Sequence, residues 1–94
     1  MITILNEIND ERRSQIAKGY TEEHDDEHTM GEIAAVAAYI AAPNDDERAM
    51  VNAPPWAAYI VEKWRHNRRH QLLIAAALLV AEIERLDRIE ARRV

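Results

Sequence analysis

Apolar residues recur along the chain at the three- and four-residue intervals of an α-helix, and no segment alternates in the manner of a β-strand. The pattern predicts a first helix over Ile2 to Ala17. Leu5, Ile8 and Ile16 share one face of this helix, with Arg12 on the same line. Gly19 follows it directly, where glycine commonly adopts the left-handed conformation that ends a helix.

A second helix is predicted to begin at Thr29, which forms a capping box with Glu32, and to run to about Ala42 before Pro43 stops it. Between 33 and 42 the only polar side-chain group is a tyrosine hydroxyl. A helix that is apolar all round must be covered all round, so this segment indicates self-association.

The remaining sequence predicts one or two capped turns over 44–51, an extended proline pair, and a long final segment over 56–92 that is interrupted near His66 and Asn67. Its second half carries a heptad stripe of Leu72, Ala76, Leu79, Ile83 and Leu86. The predicted fold is therefore all-α: one domain over residues 1–94, a small antiparallel helical bundle with three main helices, the last one longest, that forms a homo-oligomer.

Composition narrows the possible functions. The chain has 94 residues, no cysteine and a formal net charge of −5. It therefore has neither disulfides nor thiolate chemistry, and its acidity argues against general nucleic-acid binding. The longest apolar run, over 72–81, is far shorter than the roughly 20 residues of a membrane span. Residues 1–18 lack the apolar core of a signal peptide, so we expect a cytoplasmic protein without a membrane partner.

The acidic connection, residues 20–28, is the most unusual segment. Thr21 is placed to cap one helical turn within it. In such a turn His24 and His28 share a face, while Asp25 and Asp26 offer oxygen ligands for Mg²⁺ or Mn²⁺. The alternative is a solvated acidic surface. In either case, we expect Asp25 or Asp26 to contact an arginine, a metal or a backbone donor.

A second acidic pair, Glu84 and Asp87, lies three residues apart at the margin of an apolar line. If it converges with the acidic connection, the two clusters form one divalent-metal site. Its predicted ligands are His24, Asp25, Asp26, His28, Glu84 and Asp87. The alternative for Glu84 is an ion pair with Arg88, at the favoured helical spacing.

The basic segment, residues 63–70, places positive charge at a helix start, which opposes the helix dipole. Either its side chains clamp the acidic connection, or Arg65, Arg68 and Arg69 bind phosphate. Tyr20 and Trp64 border the charged clusters. Either these two side chains stack on a nucleobase, or they only pack against other side chains of the fold.

Several blocks of the chain resemble small phage and prophage proteins without a settled activity. The resemblance covers most of residues 7–88 and is most specific in five blocks: 11–16 (ERRSQI), 19–20 (GY), 24–28 (HDDEH), 31–34 (GEIA) and 81–88 (AEIERLDR). The resemblance implies a phage origin and therefore action in the host cytoplasm.

A weaker similarity is to the all-α, MazG-like nucleotide pyrophosphohydrolases, which hold Mg²⁺ on Glu-x-x-Glu and Glu-x-x-Asp pairs. Glu84 to Asp87 has the second form, and Glu23 to Asp26 resembles the first. This resemblance implies metal-dependent nucleotide hydrolysis, with water as the nucleophile.

Three functions follow from these patterns. The first is a phage counter-defence protein that sequesters a nucleotide-like signal or blocks a host protein, without turnover. The second is the metal-dependent hydrolase. The third is a bundle with a purely structural or partner-binding role.

Overall fold

The computed structural model describes residues 3–93, and this part of the chain folds into six α-helices without a strand. The helices are α1 (Ile4–Ala17), α2 (Glu22–Asp26), α3 (Glu32–Ala41), α4 (Asp45–Arg48), α5 (Trp56–Lys63) and α6 (Arg68–Arg92). The 25-residue α6 is the longest. The all-α prediction is confirmed, and so is the interruption before α6. Because this interruption divides the predicted third helix into α5 and α6, the described chain has four main helices instead of the predicted three. Ile2, the predicted start of the first helix, lies outside the described residues.

The core forms where α3 packs between α5 and α6. Val36, Ile40 and Ala57 are fully buried there, together with small residues of α6. Arg68 at the start of α6 donates to carbonyls at the end of α3, whereas Asp26, shortly before α3, meets Arg88 near the other end of α6. Helices α3 and α6 therefore run antiparallel. None of the described helices is long and apolar enough to cross a membrane.

Local sequence determines where most helices begin and end. The side chains at four helix starts accept a hydrogen bond from a backbone N–H three residues ahead. These capping residues are Thr3, Thr21, Asn44 and Asn67. Helix α1 ends as expected at Gly19, whose φ is 108°. The N–H groups of Gly19 and Tyr20 donate to the carbonyls of Ile16 and Gln15, which satisfies the last turn.

The predicted capping box at Thr29 is wrong. Helix α3 begins at Glu32, and the residue before it is Gly31 with a φ of 80°. This left-handed residue redirects the chain, so Thr29 lies outside the helix. The Glu32 carboxylate still accepts from a nearby backbone donor, the N–H of Met30, at 2.6 Å.

The apolar residues predicted to share a face of α1 do not supply its buried positions. Leu5 is 77% exposed, Ile16 is exposed and Ile8 is half-buried, whereas Arg12 on the same line and Gln15 are buried. The inward face of α1 is selected by hydrogen bonds and ion pairs with α2 and α6, so a hydrophobic pattern does not identify it.

Helix α6 has a buried inward side and a separate apolar stripe that faces outward. The inward side carries buried residues at helical spacing: Gln71, Ile74, Ala75, Ala77, Leu78, Ala81, Glu82 and Arg85. The heptad residues point outward instead. We call Leu72, Leu79, Ile83 and Leu86 the outer stripe; they are 44–58% exposed. The outer stripe, which predicts helix α6 from the sequence, is therefore not the set of residues that packs α6 against the core.

Candidate functional site

A cavity of about 200 Å³ lies between α1, the turn that follows α1, and α5. We call it the aromatic cavity. Its wall contains four aromatic side chains, Tyr20, Trp56, Tyr59 and Trp64, and two isoleucines, Ile60 and Ile74. Its polar lining comes from Glu11, Gln15, Lys18 and Lys63. Residues from both halves of the chain therefore meet at one concave surface.

Tyr20 and Trp56 form one side of the cavity. The turn at Gly19 directs Tyr20 away from α1, and Arg12 Nη1 holds the Tyr20 carbonyl at 3.1 Å. Trp56 opens α5 directly after Pro54 and Pro55. The two rings stack with centroids 6.0 Å apart and planes 23° apart. This pair presents an ordered aromatic surface.

Trp64 and Lys63 form another part of the lining, at the end of α5. The Trp64 ring packs on His70 with centroids 3.9 Å apart. Lys63 Nζ lies 5.9 Å from the centroid of Trp64, within the range of a cation–π contact. With Lys18, Lys63 brings positive charge to the cavity.

Gln15 contributes an unsatisfied polar atom to the cavity lining. The residue is only 5% exposed, and its Nε2 donates to the Ile74 carbonyl at 3.4 Å. Its Oε1 finds no hydrogen-bond donor among the residues of the described chain. An unpaired buried acceptor costs about 1–3 kcal/mol.

The structure brings together two of the predicted ligand-binding residues, Tyr20 and Trp64, on the aromatic cavity. It does not bring Arg65, Arg68 or Arg69 there. Arg65 pairs with Glu62 and lies 3.4 Å from Asp45. These arginines are engaged by other parts of the fold, so the cavity's positive charge comes from lysines instead.

Arg68 and Arg69 lie at the start of α6, where positive charge opposes the helix dipole, and each has a partner elsewhere in the fold. Arg68 Nη1 donates to the carbonyls of Ile40 and Ala42, both at 3.1 Å, so it caps the negative end of α3. Arg69 forms a double hydrogen bond with Glu7 on α1. This hydrogen bond keeps the pKa of Glu7 below its ordinary value.

Several cavity residues were not identified from the sequence as ligand contacts: Gln15, Lys18, Trp56, Tyr59 and Lys63. Trp56, Tyr59 and Lys63 follow one another at intervals of three and four residues on α5, which is a usable signal for a shared face. Gln15 and Lys18 carry no comparable signal, because only the packing of α1 brings them opposite α5.

The prediction that Asp25 or Asp26 contacts an arginine is confirmed for both. Asp25, whose side chain is 4% exposed, accepts from Arg12 Nη2 at 2.9 Å. Asp26 accepts from Arg88 at 2.8 Å and from Arg92 at 3.1 Å. The hydrogen bond from Arg88, joined by that from Arg92, lowers the pKa of Asp26. The arginines come from α1 and α6, so the predicted clamp by the basic segment is wrong.

The six predicted metal ligands do not gather around one point. Glu84 Oε1 accepts from Arg12 Nε at 3.2 Å, so Glu84 and Asp25 share a guanidinium group rather than a cation. Arg88 pairs with Asp26 instead of the predicted Glu84, and Asp87 is exposed on α6. Within residues 3–93, no group of three or more histidine, aspartate or glutamate side chains is arranged to hold a metal ion.

His24 and His28 do come together, as their spacing on a helical turn predicts. Their ring centroids are 4.7 Å apart, and the His24 ring meets Tyr20 edge-on at 5.1 Å. The pair therefore lies beside one wall of the aromatic cavity.

Comparisons of the chain with protein-family models, with curated proteins and with solved structures gave no match.

Proposed function

We propose that this protein binds and sequesters a small molecule in which a flat aromatic ring is joined to a negative charge, as in a nucleotide-like ligand. The observation that carries this proposal is the aromatic cavity, where four aromatic side chains and two lysines line the same concavity. Aromatic faces stack on any nucleobase, at about 1–3 kcal/mol per base. Lysine ammonium groups bind phosphate as point charges.

The size of the aromatic cavity supports a partly enclosed ligand. Its volume of about 200 Å³ lies below the roughly 300–1,000 Å³ of pockets that enclose a whole drug-sized molecule. A base would fill the cavity, while a sugar and phosphates remain outside it. Lys18 and Lys63 are the nearest cationic candidates to meet those phosphates.

Intrinsic tryptophan fluorescence provides a direct test, because Trp56 and Trp64 are the only two tryptophans of the chain and both line the cavity. We expect nucleoside monophosphates to change the emission with a saturable dependence on concentration. Ribose 5-phosphate, which lacks a base, should have no effect. Absence of a saturable change with all four common nucleotides up to millimolar concentration would contradict the proposal.

Matched variants distinguish binding in the aromatic cavity from binding at the arginines of the basic segment. Tyr20→Leu should weaken nucleotide binding by about tenfold, since it removes one stacking face. Lys63→Gln should weaken it several-fold, through loss of a phosphate contact. Arg65→Gln, which lies outside the cavity lining, should bind like the wild type. Equal affinities of all three variants would place any binding elsewhere on the protein.

Hydrolysis is the alternative outcome, as the resemblance to MazG-like enzymes implies. Binding without turnover is favoured because Asp25, Asp26 and Glu84 are each held by arginine side chains. After incubation with Mg²⁺ or Mn²⁺, a bound nucleoside triphosphate should be recovered intact by ion-exchange chromatography. Metal-dependent release of pyrophosphate would establish the hydrolase instead.

We also propose that the protein is a homo-oligomer, with the outer stripe as its interface. The four residues of this stripe follow each other at heptad-like intervals on a helix whose opposite face is already buried. A sustained apolar repeat of this kind is typical of helices that pair with another helix. A second copy of the chain presents the same outer stripe. In a dimer with a two-fold axis through this interface, the outer stripes of both copies would be buried against each other.

The phage resemblance supplies the biological setting of the proposal. A phage-encoded protein that acts in the host cytoplasm and retains a nucleotide-like signal would keep that signal from its receptor. The competing role is direct blockage of a host protein. Incubating the protein with a host-cell extract and identifying the small molecules that it retains distinguishes the two roles, because only sequestration enriches a nucleotide.

A further inference from the structure

The acidic connection brings two imidazole rings into an unusual arrangement. The Nε2 atoms of His24 and His28 are 3.4 Å apart. On the far side of each ring, Nδ1 faces a carboxylate: that of His24 lies 3.3 Å from Asp25 Oδ1, and that of His28 lies 2.9 Å from Glu32 Oε2. In each ring, therefore, Nδ1 faces a carboxylate and Nε2 faces the Nε2 of the other ring.

Neutral rings do not satisfy all three of these contacts. A neutral imidazole carries one N–H group, so the pair has two protons for three positions. Carboxylates only accept, which assigns the two protons to the Nδ1 atoms of His24 and His28. The two Nε2 lone pairs then face each other at 3.4 Å without a donor between them. A cation coordinated by both nitrogens removes this repulsion.

We infer that His24 and His28 bind a borderline transition-metal cation, such as Zn²⁺ or Ni²⁺, through their Nε2 atoms. Two nitrogen ligands at about 2.0–2.1 Å from a tetrahedral ion are about 3.4 Å apart. The observed separation of the Nε2 atoms matches this value. The ring centroids are 4.7 Å apart. Two rings that both point at one tetrahedral ion have centroids about 5.2 Å apart, so a small rotation of the rings completes the site. Imidazole nitrogen favours zinc, nickel and copper over magnesium and manganese. The site therefore keeps the two histidines of the predicted six-ligand set, leaves out its four carboxylates, and favours a different class of metal.

The carboxylates act here by orienting the ligands. A histidine that coordinates a metal through one nitrogen usually donates its other N–H to a carboxylate or carbonyl, which holds the ring in place. Asp25 is itself fixed by Arg12, and Glu32 by the N–H of Met30.

The chain supplies two ligands, because no group of three acidic or histidine side chains surrounds a metal position in the described residues. Water or a donor on a bound molecule completes the coordination. The rings are partly exposed, with 32% and 23% of their side-chain surfaces accessible, which leaves room for such ligands. The expected site is open and of moderate affinity.

Calorimetric titration of tag-free protein with Zn²⁺ tests this inference, with Co²⁺ and its visible absorption spectrum as a second readout. We expect one equivalent of Zn²⁺ per chain. His24→Ala and His28→Ala should each weaken binding by at least tenfold. Glu32→Gln should weaken it by about 10–100-fold, the usual effect of removing such an orienting carboxylate. Circular dichroism verifies that each variant keeps the wild-type helix content.

A matched control uses the other two histidines of the chain, which are also four residues apart. His66 lies between α5 and α6, and His70 packs on Trp64. The double variant His66→Ala/His70→Ala should bind Zn²⁺ like the wild type. If the wild type binds Zn²⁺ no more tightly than His24→Ala does, a proton shared by the rings accounts for their geometry, and the metal site is refuted. Nucleotide binding is tested separately, without metal.

Discussion

Arg12 joins more parts of the structure than any other residue described above. Its guanidinium donates to Asp25 on α2, to Glu84 on α6 and to the carbonyl of Tyr20, at 2.9–3.2 Å. The side chains of Arg12 and Asp25 are only 6% and 4% exposed. A buried charge is tolerated only when it is paired, so Arg12 and Asp25 depend on each other.

Replacing Arg12 should therefore be costly. Arg12→Met leaves Asp25 buried without its main partner, and we expect it to lower the free energy of unfolding by about 3–5 kcal/mol. Urea denaturation followed by circular dichroism measures this loss. Arg13→Met, at an exposed neighbouring position, is the matched control and should change stability by less than about 0.5 kcal/mol.

A double variant distinguishes the contribution of the Arg12–Asp25 ion pair to stability from the contribution of side-chain packing. Arg12→Met/Asp25→Asn also removes the unpaired charge, so it should lose less stability than the sum of the two single variants. Additive losses would show that Arg12 and Asp25 do not interact in the folded protein.

At the scale of single elements, α2 shows how a segment acquires structure from its surroundings. It has five residues, and an isolated helix of that length does not form in water. Thr21 caps its start, but ion pairs with α1 and α6 hold it in place. Asp26 is the link to the end of α6, through Arg88 and Arg92.

The lowered pKa of Asp26 predicts how the docking of α2 depends on pH. Hydrogen bonds from Arg88 and Arg92 depress this pKa in the folded protein. Asp26 therefore stabilises the fold above the ordinary aspartate pKa of about 4, and this stabilisation is lost as the pH falls through the depressed value.

We expect the stability difference between wild type and Asp26→Asn to be largest near neutral pH and to shrink below pH of about 4. Urea denaturation at a series of pH values measures the difference. Glu23→Gln, exposed on the same helix, should show a smaller pH dependence relative to the wild type. A difference between wild type and Asp26→Asn that stays constant from neutral to acidic pH would contradict the ion-pair assignment.

At the scale of the whole molecule, the outer stripe is the main apolar surface that the fold leaves uncovered along α6. The outer stripe explains why the sequence of α6 shows a heptad repeat. The residues of α6 that face the core lie on another side of the helix. Ile4 and Leu5 of α1 are exposed as well, at 64% and 77%. A second copy of the chain is the partner that we propose for this surface.

Multi-angle light scattering should therefore find a dimer or larger assembly at micromolar concentration. Leu79→Glu, in the centre of the outer stripe, should raise the dissociation constant by at least tenfold, since it places a charge in an apolar contact. Met50→Glu is the matched control, because Met50 is 81% exposed and lies outside the stripe. A wild-type protein that is monomeric at this concentration would contradict the homo-oligomer.

The local structure of this protein follows from short stretches of its sequence. The caps at Thr21 and Asn44, the helix end at Gly19 and the break before α6 depend on hydrogen bonds between residues a few positions apart, so a short stretch contains all the information. The all-α class follows from the same short-range pattern. The meeting of His24 and His28 was predictable for this reason too.

The inward face of each helix and the partner of each charged group depend instead on how the helices pack. The acidic connection carries carboxylates that either a metal or several arginines would satisfy, and the choice of Arg12, Arg88 and Arg92 depends on how α1 and α6 are placed. The aromatic cavity likewise joins Tyr20 to Trp64 across 44 positions. Such contacts depend on distances in space between residues far apart in the chain, and those distances exist only once the helices have packed.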